Sequence, residues 1–527
     1  MILVLVEVVR SIRSAVGRMS NRRFFQLSAI AGLFLALAFP KVNFFLLAWP
    51  ALALFWFLQL SSVSRKNSIY SSLISGGVFF FLSLFWLNHV AFIGWIAVSF
   101  FELSFWILLG YFCFEFKKIT SPLIRSFLFA VTWCVVEWMR SEIPVLGLGW
   151  NLISYSQSSF VVFVQLADAV GAFGVSFVMA WITALFAEFL LMDKGKKIKK
   201  AILLCFMLLL CSGGITYGLM ALKKKEFAMK QSEYSGIQIS VVQGNIPQSV
   251  KWEALARDEI FDIYVKLSQL AHYNQPQMIV WPEAAFPNYF NLDANSDLIL
   301  DWAKELQVSF LIGAPYYESQ EKAYNSAFFV NQEGKLQGRY DKTRLVPFGE
   351  YVPFDPFLNA LKPLARSLGI SDFSAGQAYP IFNLTHHHRF GVLICFEDTF
   401  SDLSRKIAER GASFLTVITN DAWFKLSGAS EQHLQASIFR AIETGLPIVR
   451  AANTGISGFI NVKGEVEGIV ERDGKRMEIS GYSTHKILSP ALKTFFCQGG
   501  WLFPHAMSLI FVFSVLTTLF IKRGEIK

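Results

Sequence analysis

Charged residues are scarce in this chain of 527 residues. Asp, Glu, Lys and Arg make up 17% of it, whereas a typical soluble domain contains about 25%. Hydrophobic residues make up 54%, and 53 residues are Phe. This balance excludes an ordinary soluble protein and indicates a membrane protein. The net charge of +9 predicts no nucleic-acid partner, because Lys and Arg largely flank the apolar runs, where they set membrane topology.

Cysteine is also rare. The six cysteines form no CxxC pair and no spacing typical of metal ligands, which excludes a disulfide scaffold and gives no sign of a zinc site. Cys395 is the only cysteine between Cys211 and Cys497. We expect Cys395 to stay a thiol even in an oxidising compartment. The alternative is a disulfide bond to Cys497.

The N-terminus lacks the pattern of a secretory signal peptide. Residues 1–23 contain five Arg and no long apolar run. The brief apolar stretch Met1–Val9 precedes the charges, which is the reverse of the order in a signal peptide. We therefore predict a cytoplasmic arm over residues 1–23.

Long apolar runs occupy residues 24–222 and return at residue 499. Because a spanning helix needs about 20 such residues, we predict a bundle of seven spans over 24–222 and an eighth span with a cytoplasmic tail over 499–527. The stretch 140–167 is too broken to span and is either an interfacial segment with Trp and Tyr or a plain loop. The predicted spans are 24–40, 43–61, 69–88, 91–114, 122–139, 168–192, 200–222 and 499–521.

The distribution of positive charge predicts the orientation of these spans. Lys and Arg cluster after the second, fourth, sixth and eighth spans, on the same side as the Arg-rich N-terminus. Because positive loops stay in the cytoplasm, residues 223–498 are predicted to lie on the opposite, periplasmic side. The cluster Lys223–Lys225 argues for the reverse orientation, but long domains cross the membrane largely regardless of charge.

Residues 223–498 have the pattern of a soluble α/β domain. Short β-like runs alternate with polar, helix-compatible stretches, which is typical of a sheet covered by helices. The predicted strands are Ile237–Val242, Gln277–Val280, Ser309–Ile312, Ala327–Val330, Phe390–Ile394, Phe414–Thr419 and Pro447–Ala451.

Cys395 ends one of these apolar strands, and Phe396, Glu397 and Asp398 follow it directly. A thiol delivered by a buried strand to a site with carboxylates is a candidate nucleophile. The alternative is a small buried core residue, since free Cys is among the most buried residue types. Cys395 alone does not separate these two interpretations.

Three other segments carry polar groups at predicted strand ends or in packed loops. Glu283 follows a strand, and ligands bind at the carboxyl ends of strands in open α/β sheets. Lys342 and Glu350 lie in a loop rich in apolar residues, which is typical of a packed, functional loop. Asn420–Phe424 follows the strand after Cys395. The respective alternatives are a solvated acid, a surface lysine and an Asx turn.

Together, Cys, Glu and Lys are a complete set for acyl transfer. The thiolate attacks a carbonyl, the carboxylate takes the thiol proton, and the ammonium stabilises the oxyanion. His386–His388 are the only histidines near these segments in sequence. They lie too far along the strand to act as the base. We expect them to form the tip of a hairpin, and the alternative is that they bind a metal.

Three ordered motifs resemble the nitrilase superfamily, whose Glu, Lys and Cys occur in this order. With apolar spans on both sides, the chain resembles the membrane-embedded apolipoprotein N-acyltransferases of Gram-negative inner membranes. The motifs are Trp281-Pro282-Glu283, Lys342 within Tyr340–Glu350, and Cys395-Phe396-Glu397. The resemblance implies a helical membrane bundle of about eight spans joined to an αββα nitrilase-like sandwich over residues 223–498.

The resemblance also implies roles for individual residues. Two departures from the family pattern are Phe396, where Tyr is frequent, and Lys425-Leu426-Ser427, where Gly and an acid are usual. The implied catalytic residues are Glu283, Lys342 and Cys395, and the implied supporting or substrate-binding residues are Glu350, Glu397, Phe396 and Trp252.

The implied activity is transfer of an acyl chain from a phospholipid to the N-terminal S-diacylglyceryl-cysteine of an apolipoprotein. The bilayer is then a further partner, and no metal or organic cofactor is implied. The first alternative is a membrane-tethered amidase that hydrolyses a small amide with the same three residues. The second is a transporter or scaffold, with Glu102, Asp168 and Glu188 as its few intramembrane acids.

Overall fold

The computed structural model describes residues 20–193, 195–318, 322–353 and 372–525. Of the arm predicted for residues 1–23, residues 1–19 therefore lie outside the described residues. The described residues divide into two compact units. One takes them from Met1–Glu142, Gly149–Ala221 and Gly499–Lys527, and the other from Ile143–Leu148 and Leu222–Gln498.

Each of the eight predicted spans coincides with a helix. Five of these helices are long and apolar enough to cross a membrane, which is consistent with a bundle in a membrane protein. The other three are shorter or richer in Ser. The helices are Asn21–Leu37, Ala48–Ser61, Arg65–Ser83, Phe92–Phe116, Pro122–Glu142, Ala167–Leu191, Lys197–Gln231 and Phe503–Glu525.

A row of serines lets the helix Arg65–Ser83 pack closely against its neighbours. Ser75 donates a hydrogen bond to the Ser28 carbonyl at 2.8 Å, and Ser72 donates to the Trp106 carbonyl at 2.8 Å. A Cβ on Gly32 would lie 2.2 Å from the Ser75 carbonyl oxygen, so only glycine fits at this crossing. Small residues thus bring these backbones together, as is usual between helices in a membrane.

The predicted segment 140–167 consists of short elements. From Gly149 onward it belongs to the helical unit. It contains the 3₁₀ turn Ile153–Gln157 and the short helix Val161–Val164. Trp150 and Tyr155 are buried. Arg140 pairs with Glu102 at 3.0 Å and donates to the Trp150 carbonyl at 2.9 Å, so the segment is tied to the long helices by a buried guanidinium.

Two six-stranded sheets form the core of the second unit, in the part of it that the structure describes. The first has the order β12-β1-β2-β3-β4-β5 and the second the order β11-β10-β9-β8-β7-β6. The strands are β1 Ile237–Gln243, β2 Met278–Val280, β3 Ser309–Glu318, β4 Lys322–Val330, β5 Leu336–Asp341, β6 Phe382–Asn383, β7 Arg389–Ile394, β8 Phe414–Thr419, β9 Ile448–Ala452, β10 Gly458–Ile460, β11 Val466–Glu467 and β12 Gly481–Ile487.

The sheets pack face to face, and helices cover their outer faces. Val241 and Leu311 of the first sheet share one apolar cluster with Val392 and Ile418 of the second. Arg257–His272 and Asn295–Leu306 cover the first sheet, and Ser401–Glu409 and Ala429–Thr444 cover the second. These four layers confirm the predicted αββα sandwich.

Strand direction places the chain's polar motifs at shared edges. β1, β2 and β3 are parallel, and β5 has the same direction because the pairs β3–β4 and β4–β5 are both antiparallel. In the second sheet, β7, β8 and β9 are parallel. Because the carboxyl ends of parallel strands lie at one edge of a sheet, the residues after β2 and β5 share an edge of the first sheet, and those after β7 and β8 share an edge of the second.

Candidate active site

Glu283 lies in a tight turn three residues after β2. Trp281 holds the start of this turn, since its indole N–H donates to the Ser268 hydroxyl at 2.8 Å and its backbone N–H to the Leu311 carbonyl at 2.8 Å. A Cβ on Gly313 would lie 2.1 Å from the Pro282 carbonyl oxygen, so glycine permits the close approach of β3. Glu283 is buried at 7% exposure.

Three donors surround the Glu283 carboxylate. Asn325 donates to Oε1 at 2.7 Å, and the Lys342 ammonium lies 3.4 Å from the same oxygen. The backbone N–H of Asn420, which follows β8, donates to Oε2 at 2.8 Å. Glu283 belongs to the first sheet and Asn420 to the second, so this carboxylate joins the two sheets while both of its oxygens are oriented.

Lys342 follows β5 and is 1% exposed. Its backbone N–H donates to the Asn325 carbonyl at 2.8 Å, and its ammonium lies 2.9 Å from Glu350 Oε1. Burial lowers the pKa of Lys342, but Glu350 and Glu283 outweigh burial and raise it above its ordinary value. The side chain is therefore a fixed ammonium ion beside Glu283.

Glu350 is held on both of its oxygens. Oε1 accepts from Asn325 at 2.9 Å and from Lys342, and Oε2 accepts the backbone N–H of Val346 at 2.8 Å. Asn325 thus donates to both Glu283 and Glu350 and fixes the spacing between the two carboxylates. Glu350 is placed to keep Lys342 charged and directed at Glu283.

Cys395 follows β7 with a φ of 54°. This left-handed conformation is rare for a residue with a side chain and marks a tight turn that projects the thiol. Burial and the carboxylate of Glu283 raise the pKa of Cys395, while Lys342 lowers it. The resting group is therefore a thiol, and any reaction through its thiolate would need a base such as the neighbouring Glu283 carboxylate.

Glu397 connects the turn of Cys395 to the loop of Lys342. Its carboxylate accepts the Tyr340 hydroxyl at 2.7 Å, the backbone N–H of Thr343 at 2.8 Å, that of Arg344 at 3.0 Å and that of Ile394 at 2.8 Å. Burial raises the pKa of Glu397. With its oxygens fully engaged by structural donors, Glu397 holds the two loops in register.

The two aromatic residues of the predicted site occupy different environments. Phe396 is buried, and its ring lies edge-on to that of Phe400 at 4.9 Å. Trp252 is 47% exposed. Its neighbour Lys251 is buried and donates to the Glu283 carbonyl at 3.0 Å, so the residue next to the predicted one makes the contact with the site.

A buried charged cluster behind Cys395 was not predicted from the sequence. His433 Nε2 lies 3.2 Å from the Cys395 carbonyl oxygen and 2.8 Å from Asp398, and His433 Nδ1 lies 3.2 Å from Asp421. Arg450 lies 2.9 Å from Asp398 and 3.6 Å from Asp421. Burial lowers the pKa of His433, but Asp398 outweighs it and raises the pKa to about 9.

Sequence patterns give a weak signal for these additional residues. Asn325 lies in the middle of β4 between Tyr324 and Ser326, and Lys251 directly precedes the predicted site residue Trp252. His433 lies in a helix and Arg450 in a strand, and the sequences of both are typical of ordinary buried elements. Their relation to Cys395 emerges only when the second sheet and its covering helix are assembled.

Two family models match the chain. Residues 31–185 match the apolipoprotein N-acyltransferase N-terminal domain, and residues 238–494 match the carbon-nitrogen hydrolase family. Among solved structures, an amidase of the nitrilase superfamily from Nesterenkonia is 18% identical, with a TM-score of 0.39 over 50% of this chain and 93% of that chain.

Curated relatives match over most of their length. The apolipoprotein N-acyltransferase of Geobacter metallireducens is 33% identical over 85% of this chain and 87% of that protein. That of Methylococcus capsulatus is 30% identical over 83% and 86%, and that of Haemophilus influenzae is 28% identical over 95% and 96%.

Proposed function

The chain belongs to the apolipoprotein N-acyltransferase family and is an acyltransferase, and we propose that it moves a fatty acyl chain from a membrane phospholipid to an apolipoprotein. The acceptor is the α-amino group of the N-terminal S-diacylglyceryl-cysteine. Cys395 carries the acyl chain between donor and acceptor as a thioester. Glu283, Lys342 and Cys395 are the catalytic residues of this proposal.

The observation that carries the proposal is the environment of Glu283. Its carboxylate lies 3.4 Å from the Lys342 ammonium and interacts electrostatically with the Cys395 thiol, so base, cation and nucleophile converge from three strand ends. A base near a thiol and a cation near both is the arrangement that acyl transfer requires.

The first half-reaction loads the enzyme. Glu283 takes the proton of the Cys395 thiol, and the thiolate attacks the carbonyl carbon of a phospholipid ester. Lys342 and the backbone N–H of Phe396 stabilise the oxyanion. The ester C–O bond then breaks, Glu283 returns the proton to the departing oxygen, and lysophospholipid leaves the Cys395 thioester behind.

The second half-reaction unloads it. The α-amine of the acceptor attacks the thioester carbon, and Glu283 takes a proton from the nitrogen as the new C–N bond forms. The C–S bond breaks, and Cys395 regains its proton to complete a ping-pong cycle. Glu350 and Glu397 act by holding Lys342 and the Cys395 turn in place.

The surroundings of the site suit lipid substrates. Loops that follow β1, β5 and β8 at the shared edge each carry a large, half-exposed apolar ring, at Trp252 (47%), Phe348 (49%) and Trp423 (43%). We take these rings, on loops beside the site, as the candidate surface for the acyl chains of the lipid substrates. The departure from the family pattern adds a further exposed apolar side chain there, Leu426.

The proposed location is the bacterial inner membrane, with residues 223–498 in the periplasm, where a lipoprotein N-terminus and a phospholipid surface meet. The Lys and Arg bias of the loops supports this orientation. Labelling with a membrane-impermeant maleimide in intact cells tests it. The exposed Asp473, as Asp473→Cys, should react before lysis, and Lys199→Cys, from the predicted cytoplasmic loop, only afterwards. The opposite order would reverse the orientation.

Intact-mass spectrometry tests the reaction. Purified wild type and Cys395→Ala are incubated with phospholipid, and wild type alone should gain the mass of one acyl chain. A diacylglyceryl-cysteine peptide should discharge that mass and appear as its N-acyl product. Discharge by water alone would support a membrane-tethered amidase instead. Absence of any mass gain on folded wild type would remove Cys395 as the nucleophile.

A further inference from the structure

Lys251 is a second buried ammonium beside the catalytic carboxylate. It is 1% exposed, in the loop that follows β1, and its Nζ donates to the backbone carbonyl of Glu283 at 3.0 Å. β1 is parallel to β2, so this loop and the turn that holds Glu283 leave the sheet at the same edge. A buried charge that touches the backbone of the base, rather than its carboxylate, is costly and calls for a role.

The charges around Cys395 identify that role. Lys342 is already shared between Glu350 at 2.9 Å and Glu283 at 3.4 Å. Asp421 also faces the thiol, but His433 and Arg450 compensate its charge at 3.2 and 3.6 Å. Two carboxylates and one shared ammonium would leave the site negative before the thiol ionises. Lys251 adds a second positive charge to the site, which favours formation of a thiolate.

The same contact restrains the turn of the base. Ala284, directly after Glu283, has a left-handed φ of 48°, a conformation that is strained for a residue with a side chain. The charge-assisted hydrogen bond from Lys251 to the Glu283 carbonyl stabilises this turn. Lys251 therefore contributes both position and charge to the catalytic carboxylate.

Building on the proposed reaction, we propose that Lys251 is a positioning residue for the nucleophile: it fixes the Glu283 turn and supplies the second positive charge that lets the Cys395 thiol ionise. Burial lowers the pKa of Lys251 to about 8, and Glu283 and Cys395 oppose that effect. The amine is thus mostly charged at neutral pH and loses its charge in mildly alkaline solution.

The test measures alkylation of Cys395 by iodoacetamide as a function of pH, read on the Cys395 peptide by mass spectrometry. Lys251→Met should react about tenfold more slowly than wild type at pH 7, where the Lys251 amine is mostly charged, and the difference should shrink as the pH rises through about 8. Lys251→Arg keeps the charge and should retain the wild-type rate at pH 7. The exposed Lys266, as Lys266→Met, is the matched control and should also retain it.

Several outcomes separate the possible failures. If Lys251→Met is alkylated at the same rate as wild type, or if Lys251→Arg is slowed as much as Lys251→Met, the charge of Lys251 does not act on the thiol. Where Lys251→Met loses its circular dichroism spectrum, Lys251→Gln provides a neutral variant that keeps a donor. A further outcome is that the Lys251 variants alter the alkylation of Cys395 as expected, while the wild-type enzyme forms no thioester with phospholipid. That result would overturn the proposed function but leave the effect of Lys251 standing.

Discussion

Tyr340 and Glu397 join the two sheets of the sandwich. The Tyr340 hydroxyl, at the end of β5, donates to the Glu397 carboxylate, whose oxygens lie 2.7 and 2.8 Å away just after β7. Lys342 is two residues from the first partner, and Cys395 is two residues before the second. Together with the bonds from the Thr343 and Arg344 N–H groups to Glu397, this buried contact holds the Lys342 loop beside the Cys395 turn.

Glu397→Gln should destabilise the protein and slow acylation. An amide presents N–H groups to the backbone donors of Thr343, Arg344 and Ile394 and leaves some of them unsatisfied. The expected loss is about 3 kcal/mol of unfolding free energy, visible as a lower melting temperature in detergent. The exposed Glu333, as Glu333→Gln, should melt like wild type. Equal melting temperatures for Glu397→Gln and wild type would contradict the role of Glu397.

Glu283→Gln should slow formation of the Cys395 thioester by about 10²- to 10⁴-fold, the usual contribution of a general base. The amide can keep the contact with the Asn420 N–H but cannot take the thiol proton. Single-turnover acylation, followed by intact mass, measures the effect. Glu305→Gln, at an exposed position on the helix Asn295–Leu306, should react at the wild-type rate. A Glu283→Gln rate within threefold of wild type would assign the base to another residue.

His433 predicts a loss of stability at alkaline pH. Its folded pKa of about 9 lies above the unfolded value of about 6.5. Its contribution is therefore fully present below pH ~6.5 and is lost as the pH rises through 9, by roughly 3 kcal/mol at most. Comparison with His433→Gln isolates this effect from the opposing titration of Lys251. The difference in melting temperature between the two proteins should shrink from pH 6.5 to pH 9, and a constant difference would argue against a charged His433.

Gly32→Ala should destabilise the helical unit, because the added methyl would lie 2.2 Å from the Ser75 carbonyl oxygen. Forcing two helices apart typically costs about 1–3 kcal/mol. Gly213→Ala is the matched control, since no described residue outside its own helix turn has an atom within 4 Å of its Cβ position, and alanine favours a helix. Gly32→Ala should lower the melting temperature, and Gly213→Ala should leave it unchanged or raise it. Equal effects would show that the crossing tolerates a side chain.

Elements built on long apolar patterns could be predicted from the sequence. The runs that became the helices and the buried strands β7, β8 and β9 carry a strong signal, because hydrophobic periodicity follows burial. β5 and β12 were not predicted. Leu336–Asp341 and Gly481–Ile487 are polar and half-exposed at the sheet edges, so the sheets rather than the residues themselves make them strands.

The site shows the same division. Glu283, Lys342 and Cys395 are each flanked by a local motif, whereas Asn325, Lys251 and His433 are single polar residues whose partners lie far away in sequence. The Asn325 amide bridges Glu283 and Glu350, and Lys251 meets the backbone of Glu283 rather than its side chain. Contacts of this kind depend on strand order and on the distance between sheets, neither of which a single sequence specifies.

The Glu283–Asn420 hydrogen bond makes the chemistry and the cohesion of the sandwich interdependent. The carboxylate that we propose as the acceptor of the thiol proton also accepts the backbone N–H of Asn420, after β8, and so links the two sheets. Each time Glu283 is protonated, a charge-assisted link between the sheets becomes a weaker neutral one. In the proposed cycle, this hydrogen bond between the sheets is therefore strongest in the resting enzyme and weakens each time Glu283 holds the proton.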